Sequence, residues 1–454
     1  MLRVAKVSAG GHAYYLDAAD PAVAAGPEEP GTWLGAGGSA LGLCGEVAGA
    51  DLEAVLAGYD PAGGERLGLT HHRVRVAAFD LTFCAPKSVS LLHALGDAEV
   101  ATAVAAGHGA AVEAAMDYVV RHALAVRRTR PGGRTIEPAE ATAVAAFAHR
   151  TSRVLDPHLH THAVTANLAL GPDGTWSALD GRGVYAHRAA ADALYHVQLR
   201  HELTCRLGVE WGPLAGGRGD LAGVGPGPRH AFSVRSAQIA AEVAALGLTS
   251  PRARDLAAHR TRIGRDSTRT TAELREWWHA RAVAVGLGPD HLGAVVDRVP
   301  RRAAALPDPD ALGAVVVDRL ATRRRSATRR DVVTETSRSL GAGAPLVFVE
   351  AVADALVRDL DARHPGEAGR DRPGVGERAF TVVAGHDAVQ GWRKGLSDDR
   401  VRGAVAERRA LDAALRRRSL ATDGGLSRDG LSPVDRGRDD PTPDLGYGFG
   451  LGFA

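Results

Sequence analysis

The sequence of 454 residues holds little cysteine, little lysine and only 5% aromatic side chains. Its three cysteines, Cys44, Cys84 and Cys205, are scattered and form no C-x-x-C pair. This scatter argues against a disulfide scaffold and against a cysteine-based metal site, and it favours a reducing compartment. Because the chain shows no signal peptide and no apolar run near the ~18 residues of a membrane span, we expect a soluble, cytoplasmic protein without membrane insertion.

The only three lysines are Lys6, Lys87 and Lys394. An ATP-driven motor of the common kind needs a phosphate-binding loop G-x-x-x-x-G-K-[ST], whose lysine reaches the β- and γ-phosphates. Lys87 stands in C-A-P-K-S and Lys394 in W-R-K-G-L, so neither has the required glycines. The sequence therefore predicts no helicase and no ATPase activity.

Charge and composition say less about function. The net charge is only +2, which gives no strong sign of nucleic-acid binding. The hydrophobic content of 45% allows a real core, and the length leaves room for two or three domains.

The most informative segment is 149–164, which contains four histidines. Side chains alternate faces along a strand, so His160 and His162 point the same way, about 7 Å apart along the backbone. A turn at Asp156-Pro157 predicts a hairpin that returns His149 beside this pair. Three imidazoles suit Zn, Mn, Ni, Cu or Fe and leave coordination positions open for a substrate.

A metal on an open face needs a substrate that it can polarise, and a phosphate ester is one such class. The site would also need a nucleophile and a group that deprotonates it. Asp80 is an acid in an otherwise apolar strand, either as this group or as the partner of a neighbouring histidine. The candidate nucleophile is the pair Tyr14-Tyr15, of which one member can face the site because helix neighbours diverge by about 100°.

Several motifs in one order resemble those of the MobF family, the TrwC/TraI-type conjugative relaxases. They are Y-Y at 14–15, L-G-L-C-G-E-V at 41–47, D-L-T-F-C-A-P-K-S-V-S at 80–90, D-P-x-L-H-T-H-A-V at 156–164 and F-S-x-R-S-x-Q-I at 232–239. The resemblance covers about residues 1–300.

The resemblance implies a role for each residue. The ligands of a divalent ion, Mg²⁺ or Mn²⁺ with Zn²⁺ or Ni²⁺ as alternatives, would be His149, His160 and His162. Tyr14, with Tyr15 as the alternative, would attack a phosphodiester of single-stranded DNA at an origin of transfer. The products would be a 5′-phosphotyrosyl link and a free 3′-hydroxyl that can later rejoin the strand. Asp80 would take the tyrosine proton or orient a metal-binding histidine, since the ordinary tyrosine pKa is near 10.

We also expect Lys87, Arg153 and Arg235 to contact DNA phosphates, from their charge and their position near the motifs. The resemblance implies further partners: accessory relaxosome proteins, a coupling protein and a separate helicase. Many family members carry a second tyrosine soon after the first, and residues 16–33 contain none. Whether this chain can perform a second transesterification is therefore left open.

The predicted fold is α/β (α+β), an antiparallel-sheet HUH endonuclease domain with helices on one face, followed by a mostly helical region and a disordered tail. The predicted divisions are an α/β core at 1–215, a helical DNA-clamping part at 216–300, a helical basic region at 301–361, a linker with short helices at 362–419 and the tail at 420–454.

Three other functions fit parts of the pattern. A rolling-circle replication initiator of the HUH class shares the H-x-H pair, but its tyrosine normally follows that pair beside a lysine, which Tyr185 and Tyr195 lack here. A DNA-binding remnant without catalysis is the second. A histidine-metal hydrolase that uses activated water is the third, and it predicts a released 5′-phosphate with no covalent adduct.

Overall fold

The structure is a computed structural model that describes residues 2–8, 15, 30–35, 38, 40–68, 76–130, 132–247, 250–262, 269–296, 306–323, 326–363 and 379–381. The strands are β1 (Arg3–Val7), β2 (Thr32–Trp33), β3 (Ala78–Cys84), β4 (Ala125–Arg130), β5 (Gly133–Pro138), β6 (Ala141–Thr151), β7 (Pro157–Leu170), β8 (Trp176–Ser177), β9 (Ser326–Thr328) and β10 (Ala379–Thr381). The helices are α1 (Gly49–Ala57), α2 (Lys87–Leu95), α3 (Ala98–His122), α4 (Gly181–Leu207), α5 (Pro226–Ala231), α6 (Val234–Ala245), α7 (Pro251–Arg260), α8 (Thr271–Ala284), α9 (Pro289–Val295), α10 (Pro309–Arg323), α11 (Arg329–Ser339) and α12 (Leu346–Arg363).

An antiparallel sheet with the strand order β1-β3-β7-β6-β2 forms the centre, and β8 pairs with β7. The long strands β6 and β7 form the predicted hairpin, in which His149 lies directly opposite His160. The middle strand β7 therefore carries the H-x-H pair between β6 and β3, and the register places Thr82 of β3 opposite His162.

The short helix α2 and the long helices α3 and α4 cover one face of the sheet. This face buries the odd-numbered residues of β3, Phe79, Leu81 and Phe83, together with Leu159 and Ala163 of β7. Strand alternation sends the even-numbered residues, the histidine pair among them, to the other face. The larger apolar core and the histidines are thus separated by the sheet.

The histidine face is partly covered by a second, smaller apolar cluster. Trp33 of β2, three residues of α1 and Phe147 of β6 belong to it, and so does Tyr15. This cluster occupies the end of the face away from the histidine hairpin's turn, because Val164 and Ala166 contribute to it from the far part of β7.

The helices α10, α11 and α12 do not stand apart from the sheet domain. The buried guanidinium of Arg200 in α4 donates hydrogen bonds to the carbonyls of Ser337 and Leu340 at the end of α11. Gln198 accepts a hydrogen bond from the backbone N–H of Leu346 at 2.7 Å. The described residues all fall within one compact unit, so the boundaries predicted near 215 and 300 stay predictions.

The predicted tail at 420–454 and most of the predicted linker at 362–419 lie outside the described residues. Among the helices that are described, none combines the length and the apolar character that a membrane crossing requires.

Candidate metal centre and active site

The three predicted ligands, His149, His160 and His162, meet on one face of the sheet. Their ring centroids are 5.0–5.2 Å apart, and one ligating nitrogen of each lies within 4.8 Å of those of the other two. The cluster is sheltered, since His149 is 2% and His160 8% exposed. The hairpin brings His149 to the pair, as the sequence predicted, because β6 and β7 exchange hydrogen bonds in this register.

Hydrogen bonds fix which ring nitrogen two of the histidines present. His160 Nδ1 lies 2.9 Å from the carbonyl oxygen of His158, which can only accept, so Nδ1 carries the proton. His162 Nδ1 lies 2.8 Å from Asp80 Oδ2, which accepts in the same way. In both rings Nε2 is therefore the nitrogen whose lone pair can bind a metal ion. Metal-binding histidines usually donate their other ring N–H to a carboxylate or a carbonyl in this way.

Asp80 is the polar centre of the face. It is 6% exposed, and besides the bond from His162 it accepts one from the Tyr15 hydroxyl at 2.8 Å and one from the Thr82 hydroxyl at 3.3 Å. The sequence left two roles open for Asp80, and this geometry corresponds to the orienting one. It also connects Asp80 to the hydroxyl of Tyr15, the alternative nucleophile of the sequence analysis.

The tyrosine pair is described only in part, because Tyr14 lies outside the described residues. The Tyr15 ring is 7% exposed and packs between Phe147, at 5.8 Å, and His162, at 5.9 Å between centroids. A tyrosine of the pair is thus at the histidine centre, as predicted, and its hydroxyl points to the carboxylate.

The donor set fits a divalent metal ion. Three imidazole nitrogens within one small space, two of them in rings oriented by acceptors behind them, match the ligands of Zn, Mn, Ni, Cu and Fe. Within the described residues this is the one group of three or more His, Cys, Asp and Glu side chains close enough to share an ion.

The turn that precedes the histidine strand is tied to the helices α5, α6 and α8. Asp156 is 1% exposed, and its carboxylate accepts from the Val234 N–H at 2.8 Å and from Arg281 at 2.9 Å. Leu155 has a left-handed backbone, φ +60°, which costs about 1–3 kcal/mol for such a residue. The Trp278 indole N–H donates to its carbonyl at 2.7 Å and holds this conformation. Sequence reasoning placed Asp156 in the turn and missed its role as an anchor.

Lys87 supports the same strand from the opposite side. Its ammonium donates to the carbonyl of Pro157 at 2.6 Å, and the Ser90 hydroxyl accepts from the Leu159 N–H at 3.1 Å. Burial lowers the pKa of Lys87 to about 8, although the nearby Asp156 opposes this change. This ammonium therefore has a structural partner, and its predicted contact with DNA phosphate stays a prediction.

The other two predicted phosphate contacts also have defined positions. Arg235 donates three hydrogen bonds around the end of α7, to the carbonyls of Ala258 and Thr261 and to the Thr261 hydroxyl. Arg153 lies half-buried in the turn between β6 and β7. A role in DNA binding is untested for both.

A second tyrosine–histidine pair lies behind the sheet. Tyr195 is 1% exposed, and its hydroxyl is 2.8 Å from His108 Nδ1, while His108 Nε2 is 2.8 Å from the Thr161 hydroxyl. Burial raises the pKa of Tyr195 well above its ordinary value. Because Tyr195 belongs to the helix-covered face, it does not share a space with the metal ligands, as a replication-initiator nucleophile would have to.

A separate two-stranded ribbon, β4 with β5, is the largest feature near this domain that sequence reasoning missed. The ribbon contains four arginines, and the exposed Arg127 pairs across the strands with Ile136, which is 37% exposed. Arg128 instead turns back to Asp173 at 2.6 Å. The signal would have been the β-branched residues of V-R-R-T-R and R-T-I on either side of the turn at Pro131-Gly132.

Known proteins similar to this chain were found by sequence and by structure. A sequence model of the TrwC relaxase family matches residues 4–285. Multifunctional conjugation protein TraI of Escherichia coli (strain K12) is 33% identical over 296 residues, which are 61% of this chain and 16% of TraI. The chain thus spans about a sixth of the length of that relative.

Solved structures of TrwC are similar in fold. A metal-bound complex of conjugative relaxase TrwC with oriT DNA superposes with a TM-score of 0.57 at 32% identity, covering 63% of this chain and 99% of TrwC. TrwC complexed with a 27-mer DNA comprising the recognition hairpin and the cleavage site gives 0.55 at 31% identity, with the same coverage. The predicted fold class, an antiparallel-sheet relaxase domain with helices on one face, is confirmed.

Proposed function

Because the chain belongs to the TrwC relaxase family, we propose that it is a conjugative relaxase, a strand transferase that cuts and rejoins single-stranded DNA at an origin of transfer. The observation that carries the proposal is the continuous set of contacts from the Tyr15 hydroxyl through Asp80 to His162, in a cluster of three imidazoles. A metal that neutralises phosphate charge, a carboxylate that accepts a proton and a tyrosine nucleophile are together sufficient for a phosphodiester transesterification.

We assign the nucleophile to Tyr14, with Tyr15 as the alternative. Attack of the tyrosine oxygen on phosphorus forms the phosphotyrosyl bond, breaks the bond to the 3′-oxygen and releases a 3′-hydroxyl. The phenol proton must leave, and we propose Asp80 as its acceptor, since this carboxylate already accepts a hydrogen bond from the adjacent Tyr15. In this assignment Tyr15 holds Asp80 in place, while Asp80 keeps His162 in the tautomer that offers Nε2.

The metal would be held by His149, His160 and His162, with Mg²⁺ or Mn²⁺ as the expected ion. Such an ion would neutralise the charge that develops on the phosphate oxygens. The chain's own contribution is orientation, because acceptors behind His160 and His162 fix their donor atoms and the anchored turn fixes the strand.

The ribbon β4–β5 is the surface that we propose for duplex DNA beside the cut site. A two-stranded ribbon fits the major groove, and its arginine-rich sequence suits the phosphates that border the groove. Accessory relaxosome proteins, a coupling protein and a separate helicase remain proposed partners, and the cytoplasm the proposed location.

The test is a gel assay for a covalent protein–DNA adduct. Labelled single-stranded oligonucleotides that tile the DNA beside the gene are incubated with the protein and Mg²⁺ or Mn²⁺, then denatured. We expect an adduct that needs the metal, is lost in Tyr14→Phe and is reduced but present in Tyr15→Phe.

Two other results have clear meanings. Loss in Tyr15→Phe with retention in Tyr14→Phe would exchange the roles of the two tyrosines. Metal-dependent cleavage that releases a 5′-phosphate without any adduct would refute strand transfer and favour a hydrolase.

A further inference from the structure

An exposed tryptophan stands among arginines on the helix α8. The Trp277 side chain is 36% exposed, and the guanidinium carbons of Arg269 and Arg281 each lie 5.3 Å from its ring centroid. Arg281 also lies 4.5 Å from the Phe232 ring. These four side chains form one group, called the stack below, and its outer members Trp277 and Arg269 are exposed.

The core of α8 does not depend on Trp277. Its neighbour Trp278 is 5% exposed and packs in the main core with Leu274 and Ala282. A large indole left at the surface beside two cations differs from an ordinary packing residue, because burial would have been the more stable use of its apolar area.

This stack is directly connected to the turn before the metal-binding strand. Arg281, which contacts the Trp277 ring, forms the ion pair with Asp156, and Asp156 immediately precedes β7. The Trp278 N–H holds the carbonyl of Leu155 in the same turn. A ligand on Trp277 would thus be bound by the element that anchors the histidine hairpin.

The chemistry of the stack selects its ligand. Unstacked nucleobases pack on indole rings and on guanidinium planes, and the linked phosphates are attracted to arginine. An acidic protein segment would use the arginines but not the flat aromatic surface. We propose that Trp277, with Arg269 beside it, is a stacking site for one unpaired base of the single-stranded DNA substrate. This inference rests on the proposed function, since it specifies how that substrate is held.

The test combines protein variants with DNA that lacks single bases. Binding of a labelled oligonucleotide that the protein cuts, or of a mixed-sequence one, is measured by fluorescence anisotropy for Trp277→Ala, Trp277→Leu and Trp277→Phe. We expect roughly 5- to 100-fold weaker binding for the alanine and leucine variants, the typical range for loss of one base–aromatic stack, and near-normal binding for phenylalanine. Tyr185→Ala, which removes another exposed aromatic from α4, is the matched control and should change little.

An abasic scan locates the stacked base. Replacing that one nucleotide by an abasic spacer should weaken binding to the wild type by the same factor and have no further effect on Trp277→Leu. Arg269→Gln should reduce the slope of log affinity against log salt concentration by the equivalent of about one phosphate contact.

Equal affinity of Trp277→Leu and wild type, with both folded by circular dichroism, would overturn the inference. Binding that no single abasic position weakens would do the same. These binding results do not depend on cleavage, so a wild type that forms the covalent adduct but ignores Trp277 would leave the relaxase proposal intact. A wild type that binds through Trp277 yet forms no adduct would contradict the relaxase proposal alone.

Discussion

The two faces of β7 carry two similar polar groups with different surroundings. On one face the Tyr15 hydroxyl, Asp80 and His162 follow one another, and on the other the Tyr195 hydroxyl, His108 and Thr161 do. Each group is a chain of hydrogen bonds that contains a tyrosine and a histidine. The third member is the acid Asp80 in the first group and Thr161 in the second. Of these two chains of hydrogen bonds, only the first includes a carboxylate. Its histidine belongs to the group of three that could share a metal ion, and that side chain is 17% exposed.

The difference shows what makes such a group reactive. A carboxylate can accept a proton and hold a histidine nitrogen in the orientation that a metal needs, whereas a neutral network can only satisfy its own donors. Burial lowers the pKa of His108 to about 3, so that histidine stays uncharged at neutral pH. The predictions below are arranged to change one face while the other serves as its control.

The largest expected effect follows the removal of a metal ligand. His162→Ala deletes one of three imidazoles, and we expect a loss in Mn²⁺ affinity of at least ~100-fold, beyond the range typical of an outer partner. Chelation of the wild type should abolish adduct formation, and added metal should restore it. Titration calorimetry and the adduct gel measure the two effects.

The control for this variant is Thr161→Val, one residue away on the other face of β7. It should bind metal as the wild type does. Unchanged metal affinity in His162→Ala would mean that the histidine cluster is not the metal site.

A smaller loss is expected for Asp80→Asn. The amide oxygen can still accept from His162, but the charge that favours this tautomer and stabilises the bound ion is gone. We expect a 10- to 100-fold lower metal affinity and a slower adduct formation at saturating metal. If saturating Mn²⁺ restored the full rate, Asp80 would act on the metal alone and would not receive the tyrosine proton.

Much of this comparison could be predicted from the sequence. The alternation of β3 and β7, the hairpin turn at Asp156-Pro157 and the H-x-H spacing placed His149 with its partners, because strand geometry depends on local periodicity. The relaxase resemblance and the fold class are confirmed. The helix α4 begins at Gly181 because Asp180 caps it by accepting from the Arg182 N–H.

Long-range partners could not be predicted in the same way. The contact from Tyr15 to Asp80 joins residues 65 positions apart, and that from Arg281 to Asp156 joins residues 125 apart. No local pattern specifies such pairs, because they depend on how whole elements pack. The same limit explains why the hydrogen bond from Lys87 to the carbonyl of Pro157 was not predicted.

A substitution on the helix-covered face should lower the free energy of unfolding and leave the rate of adduct formation unchanged. Tyr195→Phe removes the hydroxyl beside His108 Nδ1 and leaves a buried polar atom without its partner, which costs about 1–3 kcal/mol. Urea denaturation should show this loss, while the rate of adduct formation at 25 °C stays within about twofold. A large loss of adduct in a folded Tyr195→Phe protein would instead revive the replication-initiator reading, in which Tyr195 is the nucleophile.

The smallest effect is the pH dependence that His108 imposes on folding. Its pKa is about 3 in the folded protein and 6.5 in its ordinary state, so between these values the unfolded chain binds a proton that the folded chain does not. The free energy of unfolding therefore falls as the pH is lowered below about 6.5, by up to ~1.4 kcal/mol per pH unit for this one group. His108→Gln, which keeps a donor and an acceptor, should be less stable at pH 7 but should lose less stability between pH 6.5 and 5. The free energy of unfolding of both metal-free proteins is measured by urea denaturation at each pH. If it changed equally with pH in the wild type and in His108→Gln, His108 would take up protons in the folded state, which would contradict the low pKa of this buried histidine.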